Sequence, residues 1–297
     1  MRWSINMNRN VKWLIPMLLA LVFMVPLKAF ADAAPGDVIV TLGEDLTPDQ
    51  KTKILNEMGV SSDVDTVTVT NEEEHQYLGK YVSKAQLGTR AISSSKVTLA
   101  EKGKGLHVEA KNINWVTDSM IVNALVTAGV KDADIYVTAP FEVSGTAALT
   151  GILKAYEQKA NVNIPEEKKQ VANEEVVKTA ELGDRIGTKE ATQLITEIKQ
   201  ELADHPVKSE DELRDLIKRV AERLGITLTD DELNSLVSLF NKMKDLNINW
   251  DSVQDQLHNV RDNLDGFLNK EETQSFLQKF IDFIISIIDG IKGLFQK

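Results

Sequence analysis

The pattern of hydrophobic and polar positions changes once along the chain, near residue 160. Before this point, short runs rich in β-branched residues alternate with segments whose apolar residues recur every three or four positions, which predicts strands alternating with helices. After it, only the helical spacing remains. The pattern therefore predicts a mixed-sheet α/β domain over 32–160, followed by an all-α domain over 161–297 whose apolar stripes form the core of a helical bundle.

Local signals give the boundaries of the elements in the first domain. Thr47 with Gln50, and Asn71 with Glu74, have the spacing of capping boxes. A Gly-Lys-Gly turn at 103–105 predicts a hairpin between the strands on either side of it. The predicted strands are 37–42, 65–70, 92–102, 106–114 and 134–138, and the predicted helices are 47–58, 71–86, 117–128 and 144–158.

An internal repeat relates two of these units. Residues 47–60 and 117–130 match at a constant spacing of 70, and each is followed by Asp and a strand that ends in Val-Thr. Two helix-strand units flanking a hairpin are typical of a mixed sheet with packed helices. The order of elements over 65–138 fits a ferredoxin-like arrangement, with an extra strand and helix in front.

The second domain is punctuated as a series of helices. Gly183, Gly187, Pro206 and Gly225 separate its apolar stripes. The predicted helices are 166–182, 188–203, 209–224, 229–244, 251–268 and 271–295.

The first 31 residues have the pattern of a secretory signal peptide. Basic residues precede the apolar run 14–27, and Ala29-Phe30-Ala31 forms an A-x-A cleavage site. This predicts cleavage after Ala31 and an extracytoplasmic, envelope-associated protein. The apolar run is short for a membrane span, although an uncleaved anchor is the alternative.

The net charge and the cysteine content exclude several classes of function. Because the signal segment carries four basic residues and no acidic one, the formal net charge of −11 becomes −15 in the rest of the chain. So acidic a surface repels phosphate backbones, and we expect no nucleic-acid partner. The chain has no cysteine, which excludes disulfides, Cys nucleophiles and thiolate metal sites.

The best candidate binding site lies where three strands end in Val-Thr, at Thr41, Thr70 and Thr138. If these strands run parallel, their ends share the sheet edge at which α/β proteins bind ligands. Strand and capping propensities explain the same residues without a ligand. The candidate ligand-binding residues at this edge and in a nearby hydroxyl-rich loop are Thr138, Glu142, Ser144, Gly145, Thr146 and Arg90.

The sequence motifs give little support for a catalytic site or a metal site. The motif around Ser144 is not a nucleophile elbow, and the four histidines have no spacing that suggests a triad or a zinc site. Residues 245–251 imitate half of a calcium loop, but Trp250 and Gln256 replace its essential Gly and Glu. We therefore predict no catalytic residue, metal or cofactor, and keep a hydrolase or small-ligand enzyme near Ser144 as the alternative.

The amphipathic segment 271–295 has an apolar arc too broad to be left in water. It either packs inside the bundle or docks on a membrane surface or partner helix, which includes self-association. The apolar residues proposed for this contact are Phe276, Phe280, Phe283, Ile284, Ile287, Ile288, Ile291 and Phe295.

Blocks spread over most of the chain, above all Thr138-Ala-Pro-Phe-Glu-Val-Ser-Gly-Thr-Ala-Ala-Leu-Thr-Gly151, resemble the YpuA-like secreted proteins of Gram-positive bacteria, a family of unknown function. The resemblance implies export and a cell-envelope setting, and it assigns no catalytic residue. The sequence thus favours a non-enzymatic envelope protein that acts through contacts with another protein, the wall or the membrane surface.

Overall fold

A computed structural model of the chain describes residues 33–82, 87–246, 248, 250 and 253. These residues form one five-stranded sheet and eight helices. The strands are β1 (Val38–Gly43), β2 (Thr66–Val69), β3 (Ser94–Leu99), β4 (Leu106–Ile113) and β5 (Ala133–Val143). The helices are α1 (Pro48–Glu57), α2 (Asn71–Leu78), α3 (Asp118–Ala128), α4 (Thr146–Ala160), α5 (Glu166–Ile186), α6 (Thr188–Asp204), α7 (Glu210–Arg223) and α8 (Asp230–Asp245).

The predicted fold class is confirmed, since a mixed α/β part is followed by a helical part and the change falls between α4 and α5. The apolar core continues across this change and joins the sheet to α5–α8. The predicted signal peptide and, apart from Val253, the predicted helices 251–268 and 271–295 lie outside the described residues. The proposed contact residues between Phe276 and Phe295 lie outside them too.

The strand order is β2-β1-β3-β5-β4, and β3 runs antiparallel to the other four strands. The predicted hairpin between β3 and β4 is therefore wrong. β5 lies between these two strands, paired antiparallel with β3 and parallel with β4. The sequential order of a ferredoxin-like unit is present without its central hairpin.

β5 also extends past Pro140, where the sequence predicted that the ladder stops. Pairing with β3 ends at Thr138, so Pro140, which has no N–H, lies beyond that ladder. On the other side a bulge at Asn112, with φ of 59°, lets β4 rejoin β5 at Val143.

Helix starts follow the predicted capping chemistry at α1, α3 and α8 and shift at α2 and α4. Thr47 and Gln50 form both hydrogen bonds of a capping box. At α2 the box is Thr70 with Glu73 rather than Asn71 with Glu74, which frees Glu74 for a buried contact. At α4 the N-cap is Gly145 rather than Ser144.

One face of the sheet carries the large apolar core. Residues such as Ile39, Val97 and Ile135 point to this face, where α3 and α4 pack directly on the strands. Gly151 of α4 lies against Thr41 and Val69, and its lack of a side chain allows the helix to approach β1 and β2 closely.

The helical part contains a fully buried ion pair. Lys199 of α6 lies 2.5 Å from a carboxylate oxygen of Glu175 of α5, and both side chains are 1 % exposed. Thr127 donates to the other Glu175 oxygen, and Lys199 also donates to the carbonyl of Asn123. Burial lowers the pKa of Lys199 despite this carboxylate partner. Of the described helices, none has the length and apolarity needed to cross a membrane.

Candidate functional site

The strands that end in Val-Thr do run parallel, but the fold uses the three threonine hydroxyls internally. The Thr41 and Ser95 hydroxyls lie 2.6 Å apart in the core. Thr70 caps α2 by accepting from the backbone N–H of Glu73 at 3.1 Å. Thr138 is fully buried and donates to a carboxylate oxygen of Glu57 at 2.8 Å. These internal hydrogen bonds explain the three threonines without a ligand.

The structure brings together only some of the other residues predicted for a site. Ser144 and Thr146 share a hydroxyl contact of 3.3 Å at the start of α4. Gly145, between them, has φ of +87°, and a Cβ there would collide with Ile113. Glu142 and Arg90 are exposed.

Sequence reasoning missed Glu74, the buried carboxyl beside this turn. Thr146 donates to one Glu74 oxygen at 3.2 Å, while the other oxygen is buried without a partner among the described residues. Burial raises the pKa of Glu74 to about 8, and the nearby charge of Asp45 adds to the increase. Glu74 is thus largely a neutral acid at pH 7, packed between α2 and α4.

The opposite face of the sheet is only half covered. Among the described helices, α1 is the one packed on this face, where Ile54 and Met58 cover Val40 and Leu42 of β1. Tyr136 of β5 contacts the edge of this small cluster. The remaining half, formed by β3, β5 and β4, carries polar side chains.

Strand register arranges these side chains as three rows across β4, β5 and β3. Successive side chains on a strand alternate between faces, so every second residue contributes to the open side. The rows are His107-Asp134-Thr98, Glu109-Tyr136-Lys96 and Lys111-Thr138-Ser94. We call the side of the sheet formed by these nine residues the open face, although Ser94 and Thr138 in the third row are buried.

A groove of about 310 Å³ runs over the first two rows of the open face and is bounded by the end of α1. Its volume is at the lower end of the range for small-ligand sites. The groove is lined by Glu57, Met58, Lys96, Thr98, His107, Glu109, Asp134, Ile135 and Tyr136.

Glu57 fixes one wall of the groove. Its carboxylate accepts hydrogen bonds from Tyr136 at 2.9 Å and Thr138 at 2.8 Å, and it pairs with Lys111 at 3.1 Å. Burial raises the pKa of Glu57, but these three partners outweigh it and the net pKa is lowered. Lys96 donates to the carbonyl of Met58 at 2.7 Å, at the C-terminal end of α1, where a cation is favourable.

The other wall is acidic. Glu109 and Asp134 are exposed, and neither carboxylate has a hydrogen-bond or ion-pair partner within the part of the chain that the structure describes. Burial raises the pKa of Asp118, next to this wall, to about 6, and Glu109 contributes to the increase. Burial likewise raises the pKa of Tyr136 to about 12, with Glu57 and Glu109 as further causes. Three carboxylates (Glu57, Glu109 and Asp134) and one lysine (Lys96) thus line the groove.

The described residues form neither a metal site nor the setting of a serine nucleophile. No group of three or more potential His, Cys, Asp or Glu ligands converges there. The Ser144 hydroxyl lies 3.3 Å from the Thr146 hydroxyl, and Thr146 in turn donates to Glu74. His205 is exposed just after the C-terminal end of α6, beside Glu201.

A signal for the open face was present in the sequence. Polar residues occupy every second position in three strands, as in Ser94-Lys96-Thr98, and the same alternation runs through β4 and β5. Alternation shows that one side of a strand is solvated. Only the strand order shows that the three polar sides adjoin one another.

The comparisons with known proteins assign the chain to a family. A family model described as "Protein of unknown function (DUF1002)" matches residues 42–260. The chain belongs to this family. It is similar to "Uncharacterized protein YpuA" of Bacillus subtilis (strain 168), with 55 % identity over 279 residues, which cover 93 % of this chain and 96 % of that protein.

The YpuA-like resemblance expected from the sequence is thereby confirmed. No solved structure matches the chain. Neither the family description nor the name of the similar protein states an activity, so the functional argument depends on the groove.

Proposed function

We propose that this DUF1002 protein is a non-enzymatic binding module of the cell envelope and that the groove on the open face is its binding site. The ligand we propose is the glycan of the cell wall. The export signal expected over residues 1–31 supports an extracytoplasmic setting.

The half-covered sheet is the observation that carries this proposal. Sheets with parallel strands are generally covered on both faces, because their crossover helices pack on each side. Here α3 packs on β4 at one face, and the parallel pair β4 and β5 presents polar side chains on the other face, where α1 contacts β5. An external partner is the simplest cover for such a face.

The polar character of the open face indicates the type of partner. Of the nine groove residues only Met58 and Ile135 are aliphatic or thioether side chains, and both are buried. Protein interfaces usually depend on large apolar anchors in their centre. A hydroxyl-rich saccharide has no need of such a pocket and matches the mixture of donors and acceptors.

Co-sedimentation of the predicted mature chain, from residue 32 onward, with purified wall sacculi tests the proposal. We expect binding that the double change Glu109→Ala and Asp134→Ala weakens roughly tenfold, as expected for two lost polar contacts. The matched control is Asp215→Ala with Glu222→Ala, which removes two exposed acids from α7 and leaves binding unchanged. Equal binding by all three proteins would place the wall site elsewhere.

The same preparation tests the alternative of a hydrolase or small-ligand enzyme near Ser144. We expect no soluble wall fragments to be released during incubation. Release of fragments by the unaltered chain, abolished by Ser144→Ala, would support the enzyme and contradict the binding module.

The C-terminal segment is a separate part of the proposal. We expect residues 271–295 to bind anionic vesicles or to mediate self-association through the apolar arc. A full chain that stays monomeric and does not sediment with vesicles would contradict this.

A further inference from the structure

The starts of α2 and α4 meet at one edge of the sheet. α2 follows β2 and α4 follows β5, and these two strands run in the same direction, so both helices begin at the edge where the strands end. This is the edge at which α/β proteins bind ligands. The Thr146 hydroxyl joins the two helix starts by donating to Oε2 of Glu74 at 3.2 Å. Neither residue lines the groove of the open face.

Two polar atoms of α2 are buried at this corner without a partner. Glu74 is 1 % exposed, and its Oε1 atom has no hydrogen-bond partner among the described residues. The same is true of Nδ2 of Asn71, which lies three residues earlier and so on the same side of the helix. Buried polar atoms nearly always have a partner, and each exception needs an explanation. A molecule bound between α2 and α4 supplies one for both atoms.

The first turn of α4 adds further hydrogen-bond donors. Gly145 is the N-cap, and no side chain accepts a hydrogen bond from this helix start. The first N–H groups of a helix have no acceptor inside it and carry the positive end of the helix dipole. Residues 145–148 are buried, which limits the access of bulk water to these groups. The helix start therefore favours an acceptor that carries negative charge.

The charge state of Glu74 also favours an anion. Burial raises the pKa of Glu74 to about 8, and the nearby charge of Asp45 adds to the increase, so the carboxyl is mostly protonated at pH 7. Because Thr146 donates to Oε2, a proton on Oε1 is left to be donated. Of the described lysines and arginines, none pairs with Glu74, whereas phosphate sites commonly use such cations. A small anion with a single charge fits this set of donors better than phosphate does.

We propose that Asn71, Glu74 and the first turn of α4 form a binding site for a carboxylate group. The Asn71 amide and the Glu74 acid donate to the carboxylate oxygens, and the N–H groups of α4 stabilise the negative charge. This inference goes beyond the proposed function and shares no residue with the groove. Wall binding and carboxylate binding can therefore fail separately.

Thermal unfolding of the predicted mature chain tests the site, with sodium acetate and sodium chloride as probes at pH 6 and equal ionic strength. We expect acetate to raise Tm above its value in chloride by about 3–7 °C when acetate is at about twenty times its Kd, and we expect the rise to saturate. Equal Tm values in the two salts would overturn the proposal.

Three variants connect this rise in Tm to the corner. Asn71→Ala removes a donor that has no partner among the described residues, so the protein should fold and lose the rise. Glu74→Gln keeps an N–H donor in place of the protonated carboxyl and should retain it. The control Asn56→Ala removes an exposed amide from α1 and should retain the full rise. An undiminished rise in Asn71→Ala, or a lost rise in Glu74→Gln or the control, would contradict the site.

Two further probes distinguish other occupants of the corner. If calcium chloride raises Tm, acetate does not, and Glu74→Gln abolishes the calcium effect, the site binds a cation and the carboxylate is wrong. If neither salt raises Tm, water completes the corner and the proposal is overturned. Acetyl-alanyl-alanine identifies the source of the carboxylate. Binding tighter than that of acetate and dependent on Asn71 would assign the site to the C-terminal carboxylate of a peptide, and weaker binding would assign it to a small free acid.

Discussion

Glu73 and Glu74 are adjacent on α2, yet their carboxyl groups lie in different environments and have their pKa values shifted in opposite directions. Glu73 closes the capping box with Thr70 and pairs with Lys154, so its pKa is lowered although burial acts to raise it. Glu74 turns inward to Thr146, finds no cation, and has its pKa raised by burial to about 8. The folded state thus favours the charged form of one carboxyl and the neutral form of the other.

The raised pKa of Glu74 predicts a specific pH dependence. Between about pH 4.5 and 8 the folded protein retains a proton that the unfolded chain releases, so Glu74 lowers the free energy of unfolding as pH rises, by up to about 1.4 kcal/mol per pH unit. Glu74→Gln should have nearly unchanged stability at pH 5 and exceed the unaltered protein at pH 9. Thermal unfolding across this range measures the difference.

Glu73→Gln is the matched control, with the opposite sign. A lowered pKa contributes stability above the unfolded value, so this variant should be destabilised at neutral pH and approach the unaltered protein only in acid. Parallel pH profiles for the two variants would show that the Glu74 carboxyl is not held in its neutral form.

A second prediction about single residues concerns the buried ion pair of Lys199 and Glu175. Lys199→Met leaves a carboxylate buried without a cation and should reduce the free energy of unfolding by about 3–5 kcal/mol. Adding Glu175→Leu should recover much of the loss, which chemical denaturation can measure. Arg214→Met, which breaks the exposed pair with Glu210, should cost less than about 1 kcal/mol. Additive losses in the double variant would mean that the two side chains are not coupled.

At the scale of elements, the helix and strand segments could be predicted from local patterns, whereas their pairing could not. The two overlapping signals Thr70-x-x-Glu73 and Asn71-x-x-Glu74 both satisfy the capping rule, and sequence alone does not choose between them. The hairpin prediction failed because β5, far along the chain, inserts between β3 and β4. Strand pairing depends on such long-range contacts, which local turn signals do not record.

At the start of α4, both the backbone conformation and the packing against Ile113 require a glycine at position 145. Gly145→Ala places a Cβ at φ of +87° and against the Ile113 side chain. Strain together with a steric clash should cost about 2–4 kcal/mol. Gly103→Ala is the control, since Gly103 has the same φ of +87° and open space around it, so it should cost only about 1–2 kcal/mol. Equal losses in denaturant midpoints would exclude the contact with Ile113 as a cause.

For the whole molecule, the fold class was predictable because periodicity records it. The candidate residues Thr138, Ser144 and Thr146 lie in β5 and at the start of α4, and the fold engages their hydroxyls in internal hydrogen bonds. The open face could not be predicted, because it exists only when β3, β5 and β4 lie side by side. The hypothesis of a binding module therefore depends on topology rather than on any motif.

Hydroxyl-radical footprinting of the predicted mature chain, with and without purified sacculi, tests the central claim most directly. We predict that bound sacculi protect His107 and Tyr136 in the groove from oxidation several-fold, while exposed His205 just after α6 keeps its rate. Protection of His205 with unchanged oxidation of His107 and Tyr136 would show that the wall contacts another surface, and the open face would not be the binding site.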